Sequence, residues 1–306
     1  MKRFVLIFLA VAAILVVADR VVGYALQRAY DHINTNEIGR LNRISHEVSA
    51  DVMVFGSSRA LHHYVPQVMT EVTGLTCYNC GFGGESNVFH YALMRQVQQR
   101  HTPRLFIYEF TVDYDAEAGR EFTTSLTKIR RMTSLACRDS ILTDVSPRER
   151  WRMLSRIYPY NSALFEMLTT HIDDIYAAPD VDQGYVPLHH TLTDTTSTFH
   201  LTRHDYDPLK VRYMERMMNE FGDRLVIVVS PHFRTQADVW SFHEPMAQLA
   251  ASHGVPFIYM MEDKRFADNP LLWDDDGHLN DRGARMFTKI LADTLQSQGI
   301  LKQSNH

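Results

Sequence analysis

Cysteine is scarce in this chain of 306 residues, which contains only Cys77, Cys80 and Cys137. Three cysteines are too few for a disulfide framework or for a zinc site built from thiolates. Cys77 and Cys80 have the C-x-x-C spacing of redox-active pairs, but they fall on a predicted buried strand and at its exit. That placement favours packed thiols, although an oxidising compartment could still join the two.

Basic runs are also missing after Lys2 and Arg3, and the formal net charge is -5. This balance argues against a nucleic-acid partner. The sequence has no repeats and no low-complexity tract, and its 45% apolar and 22% charged residues are typical of a globular protein. The spacing of the four histidines between 189 and 204 does not resemble a zinc site, so we expect no metal. No dinucleotide fingerprint follows the first predicted strand, so we expect no cofactor.

The N-terminus is strongly apolar. An unbroken apolar run covers residues 4–18, Asp19 and Arg20 interrupt it, and apolar character continues to Leu26. Because a membrane span needs about 20 residues, the run is long enough only when it is followed through the two charges. We therefore predict a membrane anchor at residues 1–26 and a polar, helical stalk at 27–50.

A cleaved signal peptide is the alternative, with Val16 and Ala18 as the small residues before the cut. A mature chain starting at Asp19 would keep an apolar stub, which favours the uncleaved anchor. Both alternatives export the rest of the chain and leave Lys2 and Arg3 in the cytoplasm. We thus expect a single-pass membrane protein with its main domain on the exported, periplasmic side.

Beyond residue 50 the pattern alternates between strands and helices. Short apolar runs bounded by turn residues predict five strands, at 52–55, 75–78, 105–108, 225–229 and 255–260. Helical patterns fall at 66–73, 88–99, 208–220, 239–252 and 281–296. The alternation predicts an α/β domain at 51–306 with a doubly wound parallel sheet. A segment at about 115–207, helical at 151–157 and 162–172, interrupts the rhythm as an insertion over the site.

Three short motifs carry the chemistry. Gly56-Ser57-Ser58-Arg59 follows the first strand, at the carboxyl edge where open α/β sheets bind ligands. The second strand is followed by 79–84, N-C-G-F-G-G, whose glycines let backbone N–H groups approach a developing oxyanion. Near the C-terminus, 273–280 reads W-D-D-D-G-H-L-N. Asp275 stands three residues before His278, so one turn can bring its carboxylate to the imidazole.

In this order the motifs resemble the SGNH/GDSL hydrolase superfamily, and its membrane-anchored, exported bacterial branch in particular. The resemblance covers about residues 50–115 and 222–297. It implies a flavodoxin-like three-layer α/β/α sandwich with a five-stranded parallel sheet. It also implies Ser58 as the nucleophile, Asp275 and His278 as its catalytic partners, and the amides of Ser58 and Gly84 as oxyanion donors. Asp274 and Asp276 fall outside the D-x-x-H register, and we expect them to project into solvent.

One departure concerns the third strand. The family usually supplies another oxyanion donor from an asparagine in G-x-N-D, but residues 109–114 here read E-F-T-V-D-Y. Aspartate accepts hydrogen bonds and does not donate them when it is ionised. The resemblance thus predicts an exported serine esterase or O-acyltransferase acting on acyl esters, with acetyl the simplest, of an envelope polysaccharide or glycoconjugate. The alternative is a catalytically degenerate carbohydrate-binding or assembly component.

Other residues are secondary candidates. Arg59, Asp113 and His232 follow strands at the same edge and are candidate substrate contacts, and His232 also competes with His278 as the base. Arg59 is a candidate partner for a carboxylate such as Glu109. The pair at 62–63 is interpreted as half-buried packing histidines.

Overall fold

The computed structural model describes residues 1–117, 123–169, 182–202 and 206–301. It contains a five-stranded, all-parallel sheet in the order β2-β1-β3-β4-β5. The strands are β1 (Val52–Gly56), β2 (Cys77–Asn79), β3 (Leu105–Glu109), β4 (Leu225–Val229) and β5 (Phe257–Tyr259). Helices cover both faces, so the predicted α/β fold class is confirmed. Every residue of β1 to β4 is buried, and these strands are accordingly apolar except at Asn79 and Glu109, the last residues of β2 and β3.

Thirteen α-helices lie in the described residues. In chain order they are α1 (Lys2–Asp31), α2 (Asn36–His46), α3 (Ser58–His63), α4 (Pro66–Thr73), α5 (Asn87–Gln98), α6 (Val112–Asp115), α7 (Thr123–Arg131), α8 (Arg138–Val145), α9 (Glu149–Arg152), α10 (Leu164–Leu168), α11 (Pro208–Phe221), α12 (Trp240–Ser252) and α13 (Asp281–Ser297). Local signals set several ends. Pro66 begins α4 and a left-handed Gly74 caps it, while the Asp207 carboxylate caps α11 by accepting from two backbone N–H groups.

The chain divides into two compact units. Residues 1–47 and 123–179 form the first, and 48–122 and 180–306 form the second. In the first unit, Tyr30, Ile38 and Tyr160 form a small buried cluster, and Lys128 pairs with Glu37 at 3.2 Å. The second unit contains the sheet. The predicted insertion at 115–207 therefore contributes to both units. The division into anchor, stalk and catalytic domain stays a prediction.

In the helix-rich first unit, two observed helices differ from those that the sequence pattern predicts. The helix predicted at 151–157 ends at Arg152, because the backbone N–H groups of Arg156 and Ile157 donate to the Asp19 carboxylate instead of to carbonyls of a preceding turn. The helix predicted at 162–172 spans only Leu164–Leu168, and its last predicted residues lie outside the described part of the chain. The polar segment after Leu26 is helical, as α1 continues to Asp31 and α2 follows.

Candidate active site

The site is built at the carboxyl edge of the sheet. Strand β1 ends at Gly56, which lies opposite Glu109 on β3. The chain then turns through Ser57, and α3 begins at Ser58. Ser57 is buried whereas Ser58 is only partly buried. Of the two serine hydroxyls, that of Ser58 is therefore the one that solvent or a substrate can reach.

The structure brings Ser58, His278 and Asp275 together. The Ser58 Oγ lies 2.8 Å from the His278 Nε2, although 220 residues separate the two in the sequence. On the other side of the imidazole, Nδ1 lies 2.9 and 3.0 Å from the two carboxylate oxygens of Asp275. A hydroxyl, an imidazole and a carboxylate thus form one continuous hydrogen-bonded chain.

The charge state of Asp275 determines the direction of these hydrogen bonds. Partial burial opposes its ionisation, but hydrogen bonds and charge attraction from His278, with backbone N–H groups of Gly277 and His278 at 2.8 and 2.7 Å, lower the pKa of Asp275 to about 2. An ionised carboxylate can only accept, so Nδ1 carries the proton and donates. The Nε2 atom is then free to accept the Ser58 hydroxyl proton.

The loop that carries His278 is held on both sides. Trp273 and Leu279 form an antiparallel bridge, and the Asp274 N–H donates to the His278 carbonyl at 2.9 Å. After the histidine, the Asn280 side chain caps α13 and also donates to the Trp273 carbonyl. The D-x-x-H turn is therefore a closed hairpin that fixes the imidazole, not a free acidic turn.

Asp274 and Asp276 differ from each other, and the expectation that both project into solvent is wrong for Asp274. The Asp274 side chain is only 14% exposed, and it accepts a hydrogen bond from the His190 backbone N–H at 2.7 Å. Asp276 is exposed, as expected, and accepts from the Ser197 hydroxyl at 2.5 Å.

A buried polar network supports the loop that carries His278. The Leu279 N–H donates to His63 Nε2 at 3.0 Å, so the His63 proton lies on Nδ1, which donates to Ser230 Oγ at 2.8 Å. Ser230 Oγ in turn donates to Glu109 at 2.6 Å, and the Tyr64 hydroxyl donates to the same carboxylate. Full burial keeps the pKa of His63 well below its ordinary value, so the ring stays neutral. His63 was expected to be half-buried packing, and it is instead a fully buried hydrogen-bonding residue.

Arg59 belongs to the same network. Its guanidinium is buried and pairs with Glu109 at 3.2 Å, as the position of the arginine predicted. It also donates to the Ser230 hydroxyl and to the backbone carbonyls of Ser230 and Pro231. Because these donors are engaged with the protein interior, Arg59 is placed to position the turn, and the structure gives no support to a substrate contact.

The loop after β2 packs directly on the helix that starts at Ser58. The Asn79 side chain donates to the carbonyls of Ala60 and Tyr64, at 2.7 and 2.9 Å, and accepts from the Gly81 N–H at 2.9 Å. A Cβ atom on Gly81 would lie 2.5 Å from the backbone nitrogen of Leu61, so only glycine permits this approach. Gly84 has φ of +74° and is exposed at the surface.

The segment after β3 takes a different form from the asparagine-containing motif. Thr111 Oγ1 lies 3.3 Å from the Ser57 hydroxyl, so the ends of β1 and β3 are joined at this point. The Thr111 N–H donates to the buried Asp115 at 2.8 Å, which makes it unavailable to an oxyanion. Asp113 is partly buried on α6, one residue beyond the helix start.

His232, the predicted rival base, is buried in an aromatic setting. Its ring stacks on Phe199 at 4.3 Å between centroids and lies 6.1 Å from the Trp273 ring. Burial, together with the positive charge of Arg59, lowers the pKa of His232 to about 3. A neutral, weakly basic imidazole accepts a proton poorly at neutral pH, which favours His278 as the base.

A strap formed by residues 186–199 crosses the site. It begins where the His62 ring donates to the Val186 carbonyl at 2.7 Å, and its Leu192 N–H donates to the Trp273 carbonyl at 2.8 Å. Its far end stacks Phe199 on His232. This part of the predicted insertion therefore lies against His232 and against the loop that carries His278. The sequence predicted that the insertion recognises the substrate.

No group of three or more histidine, cysteine or acidic side chains in the described residues is placed to hold a metal ion. The C-x-x-C thiols of Cys77 and Cys80 are both free and buried, and burial raises the pKa of Cys77.

Comparison with known proteins finds matches among solved structures only. No protein-family model and no curated protein matches the chain. Among solved structures, a chain from Streptococcus pneumonia described as a "putative platelet activating factor" is 11% identical, with 94% of this chain and 98% of that chain covered. The TM-score is 0.38.

Proposed function

We propose that this chain is a serine esterase or O-acyltransferase of the SGNH/GDSL type, with Ser58 as nucleophile. One observation carries the proposal, the continuous hydrogen-bonded chain from Ser58 Oγ through His278 to Asp275. The same three residues occupy the serine, histidine and aspartate positions of the family motifs. A partly exposed serine with a base within hydrogen-bond reach, itself oriented by a carboxylate, is the arrangement of an activated nucleophile.

The reaction then proceeds in two steps. The His278 Nε2 takes the hydroxyl proton as Ser58 Oγ forms a bond to the ester carbonyl carbon. The resulting tetrahedral species breaks its bond to the alcohol oxygen, and the His278 imidazolium returns the proton to that alcohol. Water or a second alcohol then attacks the acyl-serine and loses its proton to His278. The second tetrahedral species breaks its bond to Ser58 Oγ, which takes the proton back from His278, and the acid or the new ester leaves.

Backbone amides supply the oxyanion stabilisation in this proposal. The Ser58 N–H stands at the start of α3, and the Gly84 N–H belongs to the loop that Asn79 and Gly81 hold against that helix. The segment after β3 lacks the usual asparagine, and the amide of Thr111 in that segment is engaged with Asp115. Since losing one donor typically costs about a hundred- to thousand-fold in rate, we expect a slower enzyme than a member with all donors.

The substrate class follows from location. Helix α1 is long and apolar enough to cross a membrane, and it continues without a break past Ala18, the last residue before the alternative cleavage point. We propose that α1 remains as an anchor, with Lys2 and Arg3 in the cytoplasm and the sheet domain on the exported side. Acyl, most simply acetyl, esters of an envelope polysaccharide or glycoconjugate are then the accessible substrates.

A fluorophosphonate probe tests the proposal, because it modifies only a serine that its own site activates. We expect labelling of the wild-type chain and of Ser57→Ala, and loss of labelling in Ser58→Ala and His278→Ala. Acetate release from acetylated glycans, with and without an acceptor sugar, should follow the same order and separates a hydrolase from a transferase. A folded wild-type chain that is neither labelled nor active would favour the non-catalytic, carbohydrate-binding alternative.

A further inference from the structure

The helix α1 is not a free tether, because charged residues in its second half bind the rest of the first unit. The Asp19 carboxylate accepts from the Ser155 hydroxyl at 2.5 Å and from the Arg156 N–H at 2.9 Å. The Arg20 guanidinium donates to the Leu154 carbonyl at 2.8 Å. The two charges that interrupt the apolar run are thus the contacts by which the helix holds residues 154–157.

Close packing reinforces this junction one turn later. A Cβ atom on Gly23 would lie 2.4 Å from the Cβ of Arg156 and 2.7 Å from its carbonyl carbon. Only a glycine lets the helix and the segment approach so closely. The axial position of residues 154–157 along α1 is therefore fixed.

Two large apolar side chains stand exposed beside this junction. Trp151 is 69% exposed and Leu154 is 62% exposed, and the Leu154 N–H donates to the Trp151 carbonyl, so one turn separates them. Exposed arginines accompany them at positions 148, 150 and 152. The neighbouring Glu149 is buried and pairs with Arg130 at 2.7 Å, which holds α9 in place.

The height of this patch along α1 matches a membrane surface. Asp19 lies 16 residues after Arg3, or about 24 Å along an α-helix at 1.5 Å per residue. Since the hydrocarbon core of a bilayer is about 30 Å thick, Asp19 falls near the far interface when the two basic residues stay at the near one. Tryptophan is enriched at that level, and arginines there meet anionic headgroups.

We infer that Trp151 and Leu154 insert into the headgroup region of the leaflet from which α1 emerges, so that the first unit rests on the membrane. The basic side chains around the patch favour an anionic lipid surface over the same basic patch on a second copy of the chain. This inference rests on the anchor within the proposed function, and it is independent of any esterase activity.

Tryptophan quenching by brominated lipid tests the inference on the full chain. The chain has three tryptophans; Trp273 is fully buried, while Trp240, in the second unit, is exposed and provides the matched control. Wild type, Trp151→Phe and Trp240→Phe are reconstituted into phosphatidylcholine–phosphatidylglycerol vesicles, with and without bromine near the glycerol end of the acyl chains. We expect bromination to quench wild type and Trp240→Phe, and the quenching to be lost in Trp151→Phe.

Vesicle flotation and fluorophosphonate labelling of the same samples separate the ways in which this can fail. A chain that floats but whose quenching survives in Trp151→Phe overturns the inference and leaves the anchor standing. The inference is also overturned if brominated lipid does not quench the fluorescence of Trp151 while that fluorescence changes with the protein-to-lipid ratio. This result would indicate that a second copy of the chain covers the patch. A chain that does not float overturns the anchor and the inference together. Loss of labelling alone contradicts the esterase and leaves the membrane contact intact.

Discussion

The substitution Asp275→Asn is the sharpest test of how the site is oriented. An asparagine keeps the size of the side chain and one oxygen that can accept from the N–H groups of Gly277 and His278. It also brings an amide N–H towards the imidazole, where two donors would face each other. The imidazole escapes this conflict by moving its proton to Nε2, and it can then no longer accept the proton of Ser58.

The expected effect on rate is far larger than the effect on stability. The corresponding change in a serine-protease triad lowers the turnover rate about ten-thousand-fold, which is about 5.4 kcal/mol in activation free energy. Stability should change by less than about 1 kcal/mol, because the Asp275 side chain is 53% exposed and solvent screens its ion pair with His278.

Acetate release by the detergent-solubilised chain is the assay, with thermal unfolding measured on the same samples. Asp276→Asn is the matched control, since Asp276 is the adjacent exposed aspartate and bonds to Ser197 instead of to the imidazole. We expect it to stay within a few-fold of wild type. If Asp275→Asn retained activity of the same order as Asp276→Asn, the assigned tautomer and the role of Asp275 would both be wrong.

Three further changes probe the scaffold. Glu109→Gln should lower the free energy of unfolding, measured in urea, by about 3–5 kcal/mol, because it leaves the buried Arg59 guanidinium without its anion. Glu220→Gln removes the anion of a part-exposed ion pair with Arg95 and should cost about 1 kcal/mol or less. Equal losses in the two variants would contradict the assigned role of Glu109. The pKa of His232 is about 3 in the folded chain and 6.5 in the unfolded chain. Between these pH values only the unfolded chain binds the proton, so the free energy of unfolding should fall by about 1.4 kcal/mol for each pH unit of acidification. His232→Phe should show a correspondingly shallower fall, and identical pH profiles would exclude the effect. Gly81→Ala should lower both the midpoint of thermal unfolding and the rate of acetate release, because the new methyl group meets backbone atoms of α3, and an unaffected variant would show that the loop is free to shift.

The fold could be predicted because its strands are covered on both faces. A parallel strand that is buried on both faces is apolar along most of its length, so continuous apolar runs located β1, β3 and β4 to within a residue. The two outer strands were predicted too long. Pro256 has no N–H to donate, and β5 begins only at Phe257. Leu75, likewise, is buried in the turn before β2 and takes no part in that strand.

The candidate site was predictable only where its chemistry lies in local spacing. The D-x-x-H register placed Asp275 against His278, and strand order placed Ser58 at the same edge. The roles of His63 and Asp274 depend on distant backbone groups, the N–H of Leu279 for the first and the N–H of His190 for the second. Such partners leave no spacing in the sequence, so the sequence predicted only a half-buried packing histidine and a solvent-facing aspartate.

The arginine of the G-S-S-R motif shows how the segment after β3 and the turn that carries Ser58 are related. Arg59 pairs with Glu109, the last residue of β3, and Ser57 contacts Thr111 two residues further on. The chain after β3 is thus bound to the chain after β1 twice, once by a buried ion pair and once by two hydroxyls. Residues 109–111, in the segment that lacks the asparagine donor, hold the turn that carries Ser58. The segment that lacks the donor therefore holds the Ser58 turn in place, which leaves the amides of Ser58 and Gly84 as the oxyanion donors of the proposed esterase.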